Sequence, residues 1–329
     1  MMGKILLVFA VWVLVALAFT GPVAAVPNER GEDAGIGQTQ AGSLTTFLNK
    51  TLYGDVVVAE AGGHTFSDFT WNIAVNLPDG GVTVQDAYLY LSFFGLDDGE
   101  RSVTFDGNPL DDPWDAQIGT AGTWLTARYD VTNLVSGVDA IYPVDVNVES
   151  GSSGVYGAAL IVIHEHPGGL VGAPKIRVII NDGCMWVVGT DGTTSFQNVS
   201  TENVFEAKLT TIVQAGEGGA PFNDDELYFN NLWLATDPFN GTEGSLWDVD
   251  EFGVTDKLQN GTNTVKFHSV TDGYIVDVAM LTYTYAWWPA PVGGTITPVN
   301  KLALLVPWII LAVLIAIGAT SVAVYWRRR

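Results

Sequence analysis

Apolar and polar residues alternate with a period of two through most of the chain between Thr51 and Trp287. In Tyr142–Glu149, Val144, Val146 and Val148 fall on one face and Asp145, Asn147 and Glu149 on the other. In Thr264–His268, Val265 and Phe267 oppose Lys266 and His268. This alternation predicts strands buried on one face. Ala158–Ile163 and Val278–Leu281 are apolar without a break, which predicts strands covered on both faces. Glycine-rich stretches at Gly80-Gly81, Gly151–Gly154 and Gly216–Gly219 separate the strands, and no amphipathic helical pattern exceeds two turns. The predicted class is all-β, with β-sandwich domains of jelly-roll type.

The pattern is also doubled. Asp86–Leu91 aligns with Glu206–Thr211, Val103–Leu110 with Leu227–Leu234, and Trp124 with Trp247. Tyr129-Asp130-Val131-Thr132 aligns with Phe252-Gly253-Val254-Thr255, and Leu160 with Met280. The offsets stay between 120 and 124 residues, so the sequence predicts tandem jelly-roll domains over residues 51–170 and 171–287. The twice-occurring "VT" phrase predicts a strand end, then a short helical turn capped by the Thr132 or Thr255 hydroxyl. In that turn Val135 or Leu258 points inward, and Gly137 or Gly261 closes it in the left-handed conformation. Trp124 and Trp247, at matching positions, are expected to pack in the core or against a sheet.

The ends change the picture of where this body works. An apolar run from Ile5 to Phe19, closed by Gly21–Ala25, predicts a signal peptide over residues 1–25, followed by a flexible leader over 26–50. Leu302–Tyr325 holds 24 uncharged residues. As a helix it would be about 36 Å long, enough to cross a bilayer. Lys301 before it and Arg327–Arg329 after it predict a single pass with the basic tail of residues 326–329 in the cytoplasm, and residues 288–301 form a stalk. All 36 acidic residues but only nine of the 14 basic ones lie between Val26 and Asn300, a formal charge of −27. Such a surface repels phosphate backbones, so nucleic acid is excluded as a partner. The expected partners are the lipid bilayer, through Leu302–Tyr325, and other envelope proteins or glycans. Cys184 is the single cysteine, so no internal disulfide staples the exported body, and it is read as a buried small apolar residue.

"FGVTDKLQNGTNTVKF", with "LYFNN" before it, resembles the signature of the sugar-binding jelly-roll domains of family 2 glycoside hydrolases and the wider galactose-binding-like group. Asp130-Val131-Thr132 keeps that family's Asp, and Gly253 replaces it in the second copy. Taken together, "LYGDVVVAEAGG", "AYLYLSF", "VTFDG", "YDVTNLV" and "GAALIVIHEHPGG…KIRVIINDG" are similar to a family of archaeal cell-surface domains of unknown function, over roughly Leu52–Trp287. His164-Glu165-His166 stands where such domains commonly have an acidic pair. The resemblance implies location and fold rather than an activity. The C-terminal "PVGGTITPVNKLALLVPW" resembles anchoring segments of archaeal exported proteins.

Candidate chemistry is sparse. There is no Gly-x-Ser-x-Gly, His-Glu-x-x-His, phosphate-binding glycine loop or Cys-x-x-Cys, so no catalytic residue is nominated and the chain is read as a non-enzyme. His164 and His166 fall on one face of a strand and are candidate transition-metal ligands, two where a site needs more. Acidic loops nominate calcium as a cofactor, with Asp97, Asp98, Glu100, Asp224, Asp225 and Glu226 as ligands; Asp111-Asp112 with Asp115 and Asp248–Glu251 are further acidic stretches. For sugar stacking, Trp71, Trp114, Trp124, Trp186, Trp233 and Trp247 are available, with Trp114 preferred because Asp112-Pro113-Trp114 reads as a loop tip. Sequons stand at Asn49, Asn198, Asn240 and Asn260. The leading reading is a membrane-anchored surface protein with a structural or adhesive role in the envelope. An extracellular carbohydrate-binding module, calcium-assisted, is the alternative, and an extracellular hydrolase a third.

Overall fold

The computed structural model describes residues 42–286, apart from short stretches at 66–67, 96–100, 112, 114–115, 122, 149–153, 167–172, 217–224, 242–245 and 271–272. The predicted signal peptide, stalk, transmembrane segment and tail lie outside the described residues. Among the described residues no helix is long and apolar enough to cross a membrane.

Seventeen strands make up the described fold. The first nine are β1 (Thr45–Thr65), β2 (Phe69–Val75), β3 (Thr83–Phe94), β4 (Arg101–Phe105), β5 (Asn108–Pro109), β6 (Gln117–Ala121), β7 (Trp124–Asp130), β8 (Ala140–Val148) and β9 (Gly154–Glu165). The rest are β10 (Lys175–Val188), β11 (Asp191–Val199), β12 (Val204–Gln214), β13 (Glu226–Phe229), β14 (Leu232–Thr236), β15 (Trp247–Gly253), β16 (Gly261–His268) and β17 (Gly273–Tyr285). One 3₁₀ turn covers Thr255–Lys257. The small sheets run β2-β8-β4-β5 and β11-β16-β13-β14, the same order with each strand replaced by its counterpart. The duplication read from the sequence is thus a duplication of topology.

The copies agree down to single bonds. In each, a two-residue turn with both φ values positive joins the fourth and fifth strands: Asp106-Gly107 at 50° and 73°, and Asn230-Asn231 at 53° and 62°. Those are type I′ turns, whose twist matches the flanking strands. Val131 N–H donates to the Ala87 carbonyl at 2.9 Å, and Val254 N–H to the Ala207 carbonyl at 2.8 Å.

The threonine of the repeated phrase has a different role from the one its sequence suggests. Thr132 Oγ1 accepts the Ala87 N–H at 2.9 Å and Thr255 Oγ1 the Ala207 N–H at 2.8 Å, and the 3₁₀ turn has no side-chain cap. The hydroxyl closes a backbone donor within β3 or β12 instead of one in its own turn. Ala87 and Ala207 are both fully buried, so Thr132→Val or Thr255→Val orphans a buried N–H. Each should cost about 1–3 kcal/mol, measurable as a shift in urea midpoint with an unchanged m-value. The two glycines divide their duties as well. Gly261 has φ of 93°, as expected, whereas Gly137 is needed for close approach: a Cβ there would lie 2.0 Å from the Val82 carbonyl oxygen.

Nine strands form the largest sheet, in the order β15-β12-β17-β10-β1-β9-β3-β7-β6. Its joint is β1. Thr45–Tyr53 pairs with β10 of the second sandwich and Gly54–Thr65 with β9 of the first. Six residues of the segment read as a leader, Thr45–Lys50, are therefore strand, and they belong to the second sandwich's sheet. Gly54 marks the changeover, where a Cβ would stand 1.8 Å from the His164 carbonyl oxygen. The two halves of the large sheet face each other, so three cores result. One lies inside each sandwich, around Leu89, Phe105 and Leu160 in the first and Leu209, Phe229 and Phe267 in the second. The third lies between them and is built from Tyr90, Ile161, Ile180, Trp247 and Met280. Both uninterrupted apolar runs are buried on both faces for this reason: Leu160 and Val162 face the first core, Ile161 and Ile163 the middle one.

Candidate functional site

Strand alternation leaves the outer face of each small sheet polar. On the second sandwich, Asn263, Val265 and Phe267 of β16 point into the core and Thr262, Thr264, Lys266 and His268 point out. Cross-strand pairing then aligns two rows. Thr193, Lys266, Tyr228 and Trp233 form one, from β11 across β16 and β13 to β14. Asp191, His268 and Glu226 form the row beside it.

Contacts fix the geometry of this face. His268 Nδ1 meets Asp191 Oδ1 at 2.5 Å, and Lys266 Nζ lies 3.6 Å from Asp191 Oδ2. The same ammonium stands 4.0 Å over the Tyr228 ring, so that face of the tyrosine is taken. The Tyr228 hydroxyl donates to Glu226, and this hydrogen bond raises its pKa. Trp233 is 55 % exposed, and its Nε1–H is turned toward Thr236 Oγ1 at 3.3 Å. An open indole beside a row of oriented hydroxyl, carboxylate and ammonium groups matches what a sugar ring offers, an apolar C–H face with hydroxyls at its rim.

The outer face of the first small sheet carries a groove of about 400 Å³, lined by Asp68, Thr70, Ser102, Thr104, Asp145 and Asn147. Asp145 accepts from the Thr70 hydroxyl at 2.5 Å and the Thr104 hydroxyl at 2.9 Å. Trp71, on the neighbouring strand, is packed toward the first core. A groove of about 220 Å³ between the sandwiches is lined by Asp55, Glu60, Lys208, Asp250 and Glu251, with Lys208 Nζ 2.9 Å from Glu251.

Several residues singled out in the sequence fall elsewhere. Trp114, Asp97, Asp98, Glu100 and Asp224 lie outside the described residues. Asp225 is fully buried while Glu226 points out beside Tyr228. The same alternation splits Asp248–Glu251: buried Asp248 accepts the Gly241 N–H at 2.8 Å, and Glu251 enters the groove. A run of carboxylates on a strand is thereby sorted onto opposite faces. His164 and His166 do share a face, with ring centroids 5.6 Å apart, and burial lowers the His164 pKa. Among the described residues no group of three or more His, Cys, Asp or Glu is placed to hold a metal ion. Cys184 is buried, as expected, and burial pushes its thiol pKa far up. Trp124 and Trp247 pack in the middle core, also as expected.

Sequence reasoning missed the middle core's polar centre. Asp277 of β17 is fully buried and accepts from Ser92, Thr126 and, at 2.9 Å, Gln214 Nε2. Asp182 of β10 accepts from Tyr90 at 2.9 Å and pairs with Arg128. The only signal in the sequence was an acidic residue interrupting an apolar strand, as in "IVDVAML".

No curated protein matches the sequence. Among solved structures, a conserved protein of unknown function from Pseudomonas aeruginosa aligns at 10 % identity and a TM-score of 0.29, covering 72 % of this chain and 99 % of its own. The ANX2 ectodomain from Arabidopsis thaliana aligns at 8 % and 0.26, covering 70 % and 88 %. A β-porphyranase of glycoside hydrolase family 86 from Bacteroides plebeius aligns at 10 % and 0.24, covering 66 % of this chain and 34 % of its own, so this chain spans about a third of that enzyme's length. The family model described as protein of unknown function DUF3344 matches residues 35–284, and the chain belongs to that family.

Proposed function

We propose that this chain is a membrane-anchored surface protein that adheres to saccharide through the outer face of its second small sheet. The observation that carries the reading is Trp233, an exposed aromatic in register with Tyr228, Lys266 and Thr193 and next to Asp191 and Glu226. A buried tryptophan would be packing; one that is 55 % exposed on a polar sheet has its ring available to a ligand. Export and anchoring rest on the apolar segments at the two ends of the sequence, Ile5–Phe19 and Leu302–Tyr325.

Binding fits these residues better than catalysis does. The buried carboxylates, Asp277 and Asp182, are each held by hydroxyl donors inside the middle core, where no substrate reaches them. A general acid or base needs contact with the reacting atoms.

The test is a glycan array probed with the ectodomain, followed by titration of the best glycan. Trp233→Ala should weaken binding at least tenfold, a loss of about 1.4 kcal/mol or more. Its thermal midpoint should stay at the parent value, because the ring packs against little. An array without a hit, or full affinity in the alanine variant, overturns the reading.

A further inference from the structure

The four sequons are not equivalent in the fold. Asn49, on β1, is exposed, and its Oδ1 accepts from Arg177 Nε at 2.9 Å. Arg177 Nη1 also donates to the Asn198 carbonyl at 2.8 Å. Asn198 sits in the register shift between Phe196 and Val199, exposed, with φ of 58°, so it is a bulged residue that the neighbouring strand does not cover. Val199 pairs with Gly261, which brings in Asn260, also exposed, whose Oδ1 accepts the Thr201 N–H at 2.8 Å. Thr262, the hydroxyl residue of that third sequon, donates to Gln197 at 2.6 Å.

Three sequon asparagines therefore share one end of the second sandwich, two of them tied to Arg177. In Asn49 and Asn260 the amide oxygen is the held atom, which leaves Nδ2, the atom N-linked transfer uses, facing away from those contacts. Asn240 differs. It is half-buried, its Nδ2 donates to the Asp237 carbonyl at 3.3 Å, and its Oδ1 is shut off from solvent. A sugar on Nδ2 would displace that amide from the turn it closes.

We infer that Asn49, Asn198 and Asn260 carry N-linked glycans that form a collar around this end of the module, and that Asn240 does not. In the transfer, Nδ2 bonds to the anomeric carbon of a lipid-phosphate-linked oligosaccharide. The sugar–oxygen bond to phosphate breaks, the phosphate leaves with the electron pair, and the amide gives up one proton. The collar surrounds the end at which β17 finishes, where Arg177 reaches the Tyr283 hydroxyl at 3.1 Å and Ala286 N–H meets the Asn203 carbonyl at 2.5 Å. Thr193, the β11 member of the Trp233 row, and Asn198 are separated along the strand by about 17 Å at the usual strand rise, so the attachment points stand clear of the Trp233 row.

The inference rests on the surface placement in the proposed function and not on saccharide binding. Its test is intact-mass and glycopeptide analysis of the full chain purified from membranes of its own cells, with N49Q, N198Q, N260Q and N240Q alongside. Each of the first three variants should lose the mass of one glycan, and N240Q should lose none. An unmodified chain in the membrane fraction, or occupancy at Asn240 equal to the others, overturns the collar and leaves surface placement standing. Recovery of an unmodified chain from the cytosol overturns both.

Discussion

Trp247→Ala should destabilise both sandwiches together, by about 3–5 kcal/mol, the range for deleting a large buried aromatic. The ring is fully buried and belongs to the second sandwich, but the slot it fills is cut into the first. A Cβ on Gly157 of β9 would stand 2.2 Å from the ring, and one on Gly62 of β1 2.4 Å. The indole N–H reaches Glu60 Oε2 at 3.2 Å. The two glycines are thus the floor of a socket. Because β1 is shared and the middle core is continuous, the module should unfold in one transition before and after the substitution. At about 2–4 °C per kcal/mol for a body of this size, the midpoint should fall by roughly 10 °C. Gly157→Ala attacks the same contact by overpacking and should cost about 1–3 kcal/mol. The double variant should lose less than the sum, since the alanine methyl then enters the space the indole vacates. Two separate transitions, or strict additivity, would show that the sandwiches are independent domains with an incidental contact.

This socket also shows where the sequence stops being legible. Alternation and the 120 to 124 residue offsets carry the duplicated sandwich, because both depend on local period and order. Asp106-Gly107 and Asn230-Asn231 were readable as type I′ turns as well, since both positions favour residues that tolerate positive φ. Pairing between distant strands was not. Nothing in Thr45–Lys50 distinguishes a strand of the second sandwich from a leader, and nothing in Thr51–Tyr53 assigns it to the second sandwich, because the partner β10 lies more than 120 residues away. Trp124 and Trp247 align in sequence and share the middle core, yet only Trp247 sits on glycines, while Trp124 packs on Tyr156 and Trp186 at 5.0 and 5.9 Å. The candidate site was legible in part. Trp233 stood among the available aromatics, but its exposure depends on the register of β13 with β14, which the sequence does not state.

Stability of the module should fall as pH rises from about 4 to about 7, and Asp277 is the main cause. Burial pushes its pKa up to about 7, against the opposing pull of hydrogen bonds from Ser92, Thr126 and Gln214. In the unfolded chain the same carboxyl titrates near 3.9. Below about pH 4 both states hold the proton, and the contribution is fully present. Between the two values the native state keeps a proton that the unfolded state has released, so stability drops with pH, and above about 7 it is level again. A shift of about three units corresponds to roughly 4 kcal/mol across the window. Asp182 moves in the same direction, raised by burial and held down by Arg128, so the parent curve contains both. Asp277→Asn separates them. It keeps the shape and leaves nothing to ionise: the retained oxygen still accepts from Thr126 and Gln214, and the Ser92 hydroxyl can turn to accept from the new amide. The difference in unfolding free energy between variant and parent should therefore be near its minimum at pH 4 and favour the variant increasingly up to pH 7. A difference that does not change with pH would mean that Asp277 stays ionised in the folded protein, with its three donors outweighing the cost of burial.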